Sequence, residues 1–242
     1  MASELDLRGK AVLVTGAVGG IGAATAIRFT NEGASVAILD RNGKLADRTA
    51  KAATAVGVRA RAIVADVSST ADVARAVAEA EGELGLLSVL LNNAGIAERR
   101  PFLELPVESW RTVLDVNLTG AFLGTQAVVR RMVAHTIAGA IVSVASVARL
   151  TGVLNRSAYA AAKHGLIGLT RTLALELAPF GTRDNVVVPV GVATDLTADL
   201  RCAPDAEARI RASHPLGRAA RKHLLAVALA VSTPATAASS LA

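Results

Sequence analysis

One stretch near the start, Lys10-Ala-Val-Leu-Val-Thr-Gly-Ala-Val-Gly-Gly-Ile-Gly22, constrains the fold of this chain more than any other. Its apolar run from Ala11 to Val14 reads as a strand buried on both faces, the kind that parallel sheets covered by helices contain. The strand empties into a glycine-rich turn, and a helical pattern begins at Gly20. Glycines at Gly16, Gly20 and Gly22 let the backbone approach a ligand closely, while the amides of the following helix N-terminus point at it with partial positive charge. A pyrophosphate suits such a place. The spacing is Thr-Gly-x-x-x-Gly-Ile-Gly and not the G-x-G-x-x-G of ordinary dinucleotide folds.

A chain of 242 residues fits one α/β domain over 1–242, large enough to bury a core without covalent staples. Its single cysteine, Cys202, excludes an internal disulfide and a thiolate metal cluster. The first residues are polar, and no apolar run reaches the roughly 18 residues that a membrane span needs. A soluble, cytoplasmic protein is expected.

The net charge of +6 raises the question of nucleic acid. Five basic residues (Arg209, Arg211, Arg218, Arg221 and Lys222) and no acid fall after position 207, so the remainder of the chain carries only +1. Aromatic residues make up 2% of the chain and none follows Phe180, so the stacking platforms of a nucleic-acid groove are lacking. The basic segment reads as a solvated or interface-facing one, and no nucleic-acid partner is expected.

Further along, the pattern predicts a helix over 20–32 and a second buried strand over 34–39, ending at Asp40. A carboxylate at that tip, about 20 residues past the glycine turn, is where dinucleotide folds hydrogen-bond the adenosine ribose, and it repels a 2′-phosphate. Arg41 follows and softens that repulsion, so NAD is favoured and NADP stays open. A helix over 44–55, a strand over 59–64 ending near Asp66 and Val67, a helix over 68–83 and a strand over 86–91 come next. Asn92-Asn-Ala-Gly95 then falls at the carboxyl end of a central strand, where α/β sheets bind ligands. One long helix is expected over 107–134 with Asn117 inside it. A structural hydrogen bond to a neighbouring strand would account for that asparagine, and so would a catalytic or water-holding role.

A strand over 140–144 leads to Ser146, and a helix over 157–178 carries Tyr159 and Lys163. These two are four apart, so their side chains share one helix face. A phenol is a poor base at neutral pH, but a neighbouring ammonium favours the phenolate and lowers its pKa. Ser146 is placed to donate to the same substrate oxygen.

With these pieces in order, the chain resembles the short-chain dehydrogenase/reductase family from about Leu7 to Arg218. The matching motifs are 15–22, Asp66-Val67, 92–95, Asn117, Ser146, Tyr159-Ala-Ala-Ala-Lys163, Pro189 with Thr194, and Pro215-Leu-Gly-Arg218. The resemblance implies a Rossmann-type, doubly wound parallel sheet in three layers that moves hydride between a nicotinamide and a secondary alcohol or ketone. It implies Tyr159 as general acid and base, Lys163 on the nicotinamide ribose, Ser146 on the substrate oxygen and Asn117 holding a relay water. Gly16, Gly20, Ile21 and Gly22 would take the pyrophosphate, Asp66 and Val67 the adenine, Asn93, Ala94 and Gly95 the adenosine side, and Val192 and Thr194 the nicotinamide amide.

Four departures from the family pattern stand out. Val190 replaces the usual glycine after the proline, and a β-branched residue restricts the backbone there. Asp184 sits in a strand position that is usually apolar, where an unpaired carboxylate costs several kcal/mol or keeps its proton. Arg149 replaces a glycine after the serine. The family's final strand is missing, which predicts a six-stranded sheet, a disordered tail over 232–242 and a homodimer paired through the two long helices, with tetramer formation in doubt. Segment 195–215 reads as a substrate lid. The same residues leave open a 3-oxoacyl carrier-protein reductase and, from another class, a non-catalytic dinucleotide-binding protein.

Overall fold

The structure, a computed structural model, describes residues 7–54, 58–146 and 153–189, together with 192, 194, 196, 220, 222 and 226. Strands β1 (Ala11–Thr15), β2 (Ser35–Asp40), β3 (Ala60–Val64), β4 (Leu87–Asn92), β5 (Ala140–Val144) and β6 (Arg183–Val187) form one parallel sheet in the order β3-β2-β1-β4-β5-β6. That order reverses direction between β1 and β4. A crevice therefore opens outside the carboxyl ends of these two strands, where open α/β sheets bind ligands.

Helices cover both faces, which is why β1, β4 and β5 are buried at every position. On one face Val12, Val14, Ile38 and Leu91 pack with Phe29 of α1 (Gly20–Asn31) and with Ala46, Ala50 and Ala53 of α2 (Gly43–Thr54). On the other, Leu13, Leu39, Leu90 and Ile141 meet Val77 of α3 (Thr70–Leu84), Met132 of α5 (Gly120–Ala134) and Leu177 of α6 (Ser157–Leu177). Each fully buried Leu, Val or Phe contributes about 1.5–3 kcal/mol. The result is the three-layer Rossmann-type architecture that the resemblance implies.

The helix expected over 107–134 is not regular. It consists of α4 (Val107–Leu114), a π-helical turn (Asp115–Thr119) and α5, with the amide of Gly120 donating five residues back to the Asp115 carbonyl. The physical cause lies at Asn117, whose side-chain Nδ2 donates to the Val113 carbonyl at 2.8 Å. That carbonyl is the one a regular α-helix would offer to the backbone amide of Asn117, so side chain and ladder compete and the turn widens.

Among the described residues the sheet has six strands, and no helix is long and apolar enough to cross a membrane. Arg149, Val190, the tail over 232–242 and all of the lid segment 195–215 except Leu196 lie outside the described residues.

Candidate active site

The glycine turn and the carboxyl ends of β1, β2, β3 and β4 enclose a cleft of about 270 Å³. Gly16, Gly20 and Ile21 wall it on the β1 side, Asp40 stands at the tip of β2, and Asp66 and Val67 follow β3. Asn93, Ala94 and Gly95 form the wall after β4, and Thr194 closes one side. Residues scattered over some 180 positions in the sequence thus share one cavity, because parallel strands present all their carboxyl ends at one edge of the sheet. Gly22 and Val192 are placed otherwise. Gly22 lies behind the turn, where a Cβ would fall 2.5 Å from both Asn93 Nδ2 and Gly16 O, and Val192 is buried in a parallel bridge to Ala220.

Gly16 has a left-handed backbone (φ +64°), and a Cβ on it would come within 2.6 Å of the Ala94 Cα. Only glycine meets both conditions, and the turn after β1 thereby packs directly against the turn after β4. Two side chains hold this approach. Thr15 Oγ1 accepts the amides of Asn93 and Ala94, each at 3.1 Å, and Asn93 Nδ2 donates to the Thr15 and Gly16 carbonyls at 3.1 and 2.8 Å. The Asn93 side chain therefore binds the two turns to each other, and it is the residue's position in the wall, not its amide, that faces the cleft. Sequence reasoning passed over Thr15 as a separate participant; its hydroxyl among β-branched strand residues was the available signal.

Asp40 accepts the amide of Asn42 at 2.9 Å through Oδ1, a turn that leads into α2, and its carboxylate borders the cleft beside Arg41. Asp66 Oδ1 accepts both the amide and the hydroxyl of Ser68, at 2.8 and 2.6 Å. These bonds, with a smaller contribution from the Arg41 charge, hold the Asp66 carboxyl below its ordinary range.

Beyond the cleft, β5 ends at Val144 and delivers Ser146 toward the start of α6. The Ser146 hydroxyl is hydrogen-bonded to the phenolic oxygen of Tyr159, so two groups 13 residues apart meet at one point. Tyr159 and Lys163 are both buried on α6. Lys163 Nζ donates to the Val144 carbonyl at 2.7 Å and lies 5.8 Å from the centre of the tyrosine ring. Asn117, also buried, donates through Nδ2 to the Ile96 carbonyl at 2.8 Å and accepts the Ile96 amide at 3.2 Å. These bonds tie the Asn117 side chain to the segment after β4 and not to a strand itself. Gly95 joins this cluster to the cleft, since a Cβ on it would sit 2.5 Å from Asn117 Oδ1 and 3.6 Å from Lys163 Nζ.

One electrostatic expectation is corrected. The phenol of Tyr159 is pushed up by burial, and what counteracts burial is the Ser146 hydrogen bond first and the Arg156 charge second. Lys163 is itself pushed down to about 8 by burial, so near that pH its charge is partly lost, and its ammonium is turned to a backbone carbonyl. Arg156, three residues before Tyr159 at the N-cap of α6, falls at the end of the segment 149–156 that the sequence offers for specificity, and its charge beside the phenol is what the sequence did not show. Its guanidinium lies 6.0 Å from the centre of the ring.

Asp184 is buried in β6, with Oδ1 lacking a hydrogen-bond partner, and burial raises its pKa to about 7. The carboxyl therefore keeps its proton to near neutrality, the second of the outcomes named above.

Comparison with known proteins agrees with this geometry. Residues 10–205 match the family model described as short chain dehydrogenase. Over 222 residues the chain is 41% identical to cis-4-hydroxycyclohexanecarboxylate dehydrogenase of Sinomonas cyclohexanicum, covering 91% of this chain and 88% of that one. It is 37% identical over 216 residues to the 3-oxoacyl-[acyl-carrier-protein] reductase of Aquifex aeolicus (strain VF5), covering 89% and 86% of the two chains. A short-chain type dehydrogenase/reductase from Mycobacterium marinum, known from its crystal structure, superposes with a TM-score of 0.90 at 33% identity, covering 95% of this chain and 90% of the other.

Proposed function

Because the chain belongs to the short-chain dehydrogenase/reductase family and is an NAD(P)-dependent oxidoreductase acting between secondary alcohols and ketones, we propose that it prefers NAD and takes a small, largely apolar alicyclic substrate. The observation that carries the catalytic reading is the meeting of Ser146 and Tyr159 at one hydrogen bond, with Lys163 buried beneath, beside a glycine-walled cleft.

The residues present fit a dinucleotide. Gly16, Gly19 and Gly20 bring bare backbone to the cleft at the start of α1, and the Asp40 carboxylate borders the same cleft about 20 residues past the turn. Gly16, Gly20 and Ile21 would hold the pyrophosphate, Asp40 the adenosine ribose, Asp66 and Val67 the adenine, and Ala94, Gly95 and Thr194 the rest. When bound, the nicotinamide supplies the hydride acceptor or donor.

The chain's own residues hold the substrate and move its proton. Ser146 fixes the reacting oxygen through its hydroxyl. Tyr159 Oη takes the proton of an alcohol or gives one to a ketone oxygen. Lys163, buried next to it, orients the ribose and favours the phenolate in its charged form. The side-chain amide of Asn117 is engaged by Ile96 and Val113, so any water it holds is bound through a backbone carbonyl of the widened turn.

An apolar substrate is supported by the wall around Tyr159, which consists of Ile96, Ala97, Leu105, Trp110 and Val153. The hydroxycyclohexane acid named for the Sinomonas relative has such a body. The likeness to the Aquifex reductase favours a second reading, a 3-oxoacyl thioester reductase. Nicotinamide absorbance with 4-hydroxycyclohexanecarboxylate, cyclohexanol and a carrier-borne 3-ketone, each with both cofactors, distinguishes the two. Cofactor binding without turnover on any of them would instead favour a non-catalytic dinucleotide-binding protein. A homodimer through the long helices goes with this reading, supported by Phe122 on α5 and Leu175 on α6, both exposed; a monomer by sedimentation at micromolar concentration would rule it out. A cytoplasmic location is proposed on the single cysteine.

A further inference from the structure

Tyr159 is flanked by two cations, one at the N-cap of its helix and one within it. Arg156, the N-cap residue of α6, precedes it by three residues, and Lys163 follows it by four on the same helix face. The Arg156 guanidinium carbon is 6.0 Å from the centre of the ring and the Lys163 nitrogen 5.8 Å. Both side chains are buried, at 7% and 4% exposure, so the field each exerts on the phenol is weakly screened.

From this geometry we propose that Arg156 is a positioning and charge-setting residue of the active site, the permanent cation that keeps the Tyr159 phenolate accessible. This deepens the catalytic reading above and rests on it. The two cations are not equivalent. A guanidinium stays charged throughout the working range. Lys163, pushed down to about 8 by burial, loses charge in the range where an alcohol dehydrogenase needs its base. Arg156 acts on the phenol in the direction that offsets burial, after the Ser146 hydrogen bond. The apolar residues clustered with Tyr159 are Trp110 and Val113 from α4, Ile96 and Ala97 from beyond β4, and Val153. Against burial, the phenol is acted on by the Ser146 hydroxyl, from the segment after β5, and by the Arg156 charge.

The sequence makes this directly measurable, because Tyr159 is the only tyrosine in the chain. The near-ultraviolet absorbance of tyrosinate therefore titrates this group alone, with Tyr159→Phe as the blank and no substrate needed. Arg156→Gln and, as a second neutral variant, Arg156→Met are expected to raise the midpoint by about one pH unit, a tenfold loss of phenolate at a given pH, while Arg156→Lys stays close to wild type. Far-ultraviolet dichroism at each pH separates titration from unfolding. The ascending limb of kcat/KM for alcohol oxidation, along which the base loses its proton, is expected to move with the midpoint, and it serves alone where unfolding precedes titration. An unchanged midpoint and limb in Arg156→Gln and Arg156→Met, or equal displacement in Arg156→Lys, would overturn the proposal. Absence of turnover in the wild type would count against the enzyme reading instead, and the tyrosinate titration would still decide the role of Arg156.

Discussion

The side-chain amide of Asn93 donates to the carbonyl oxygen of Gly16 at 2.8 Å and thereby ties the turn after β4 to the turn after β1. The same amide reaches the Thr15 carbonyl at 3.1 Å. Asn93→Ala would leave both partly buried acceptors unpaired, a loss of about 1–3 kcal/mol. Urea unfolding and NADH titration are expected to fall together in this variant. Weaker cofactor binding at unchanged stability would make Asn93 a direct ligand.

Tyr159→Phe keeps the ring in its apolar wall and removes only the hydroxyl that meets Ser146. Turnover is expected to drop by roughly 10²–10⁴-fold or more, since positioned proton transfer is worth that much. Cofactor affinity is expected to stay near wild type, and its loss would give the tyrosine a structural role.

The Asp40 carboxylate and the Arg41 guanidinium both border the cleft where the adenosine ribose is proposed to lie. Asp40→Ser removes the negative charge that opposes a 2′-phosphate and leaves the cation in place. The ratio of Kd values for NADPH and NADH is expected to shift toward NADPH by about tenfold or more, near 1.4 kcal/mol. Calorimetric titration with both cofactors in parallel checks it; an unaltered ratio would place cofactor choice elsewhere.

Asp184 carries a pH dependence of known sign. Its folded-state pKa of about 7 lies above the ordinary 3.8, so the folded chain binds the proton more tightly than the unfolded one. Stability is therefore highest below the ordinary value, declines as pH rises, and levels off above the raised one, a span of order several kcal/mol. Asp184→Asn keeps the shape without the titration. Its urea midpoint is expected to approach wild type toward about pH 4 and to exceed it at about pH 8. Parallel losses in the two proteins would show that the carboxyl is solvated or paired.

Much of the fold was legible in the sequence because it rests on local pattern. A strand buried on both faces reads as an unbroken apolar run, as in Ala11 to Val14, and helices read from the spacing of their apolar positions. Tyr159 and Lys163 were legible as a pair because four residues on a helix bring two side chains together. What escaped were contacts that no spacing encodes. The π-helical turn depends on Asn117 finding Val113 and, beyond β4, Ile96. Thr15 and Asn93, 78 positions apart, meet only because β1 and β4 are neighbours in the sheet.

The amino-acid sequence by itself determined the class of the molecule: a parallel sheet wrapped by helices, a bare glycine turn for a phosphate-bearing ligand, and a phenol, an amine and a hydroxyl set at strand and helix ends. Tertiary structure alone decided the electrostatics among them. Burial raises the phenol, lowers the lysine and holds a proton on Asp184, because the cost of charge depends on how much water remains around each group after the elements have packed.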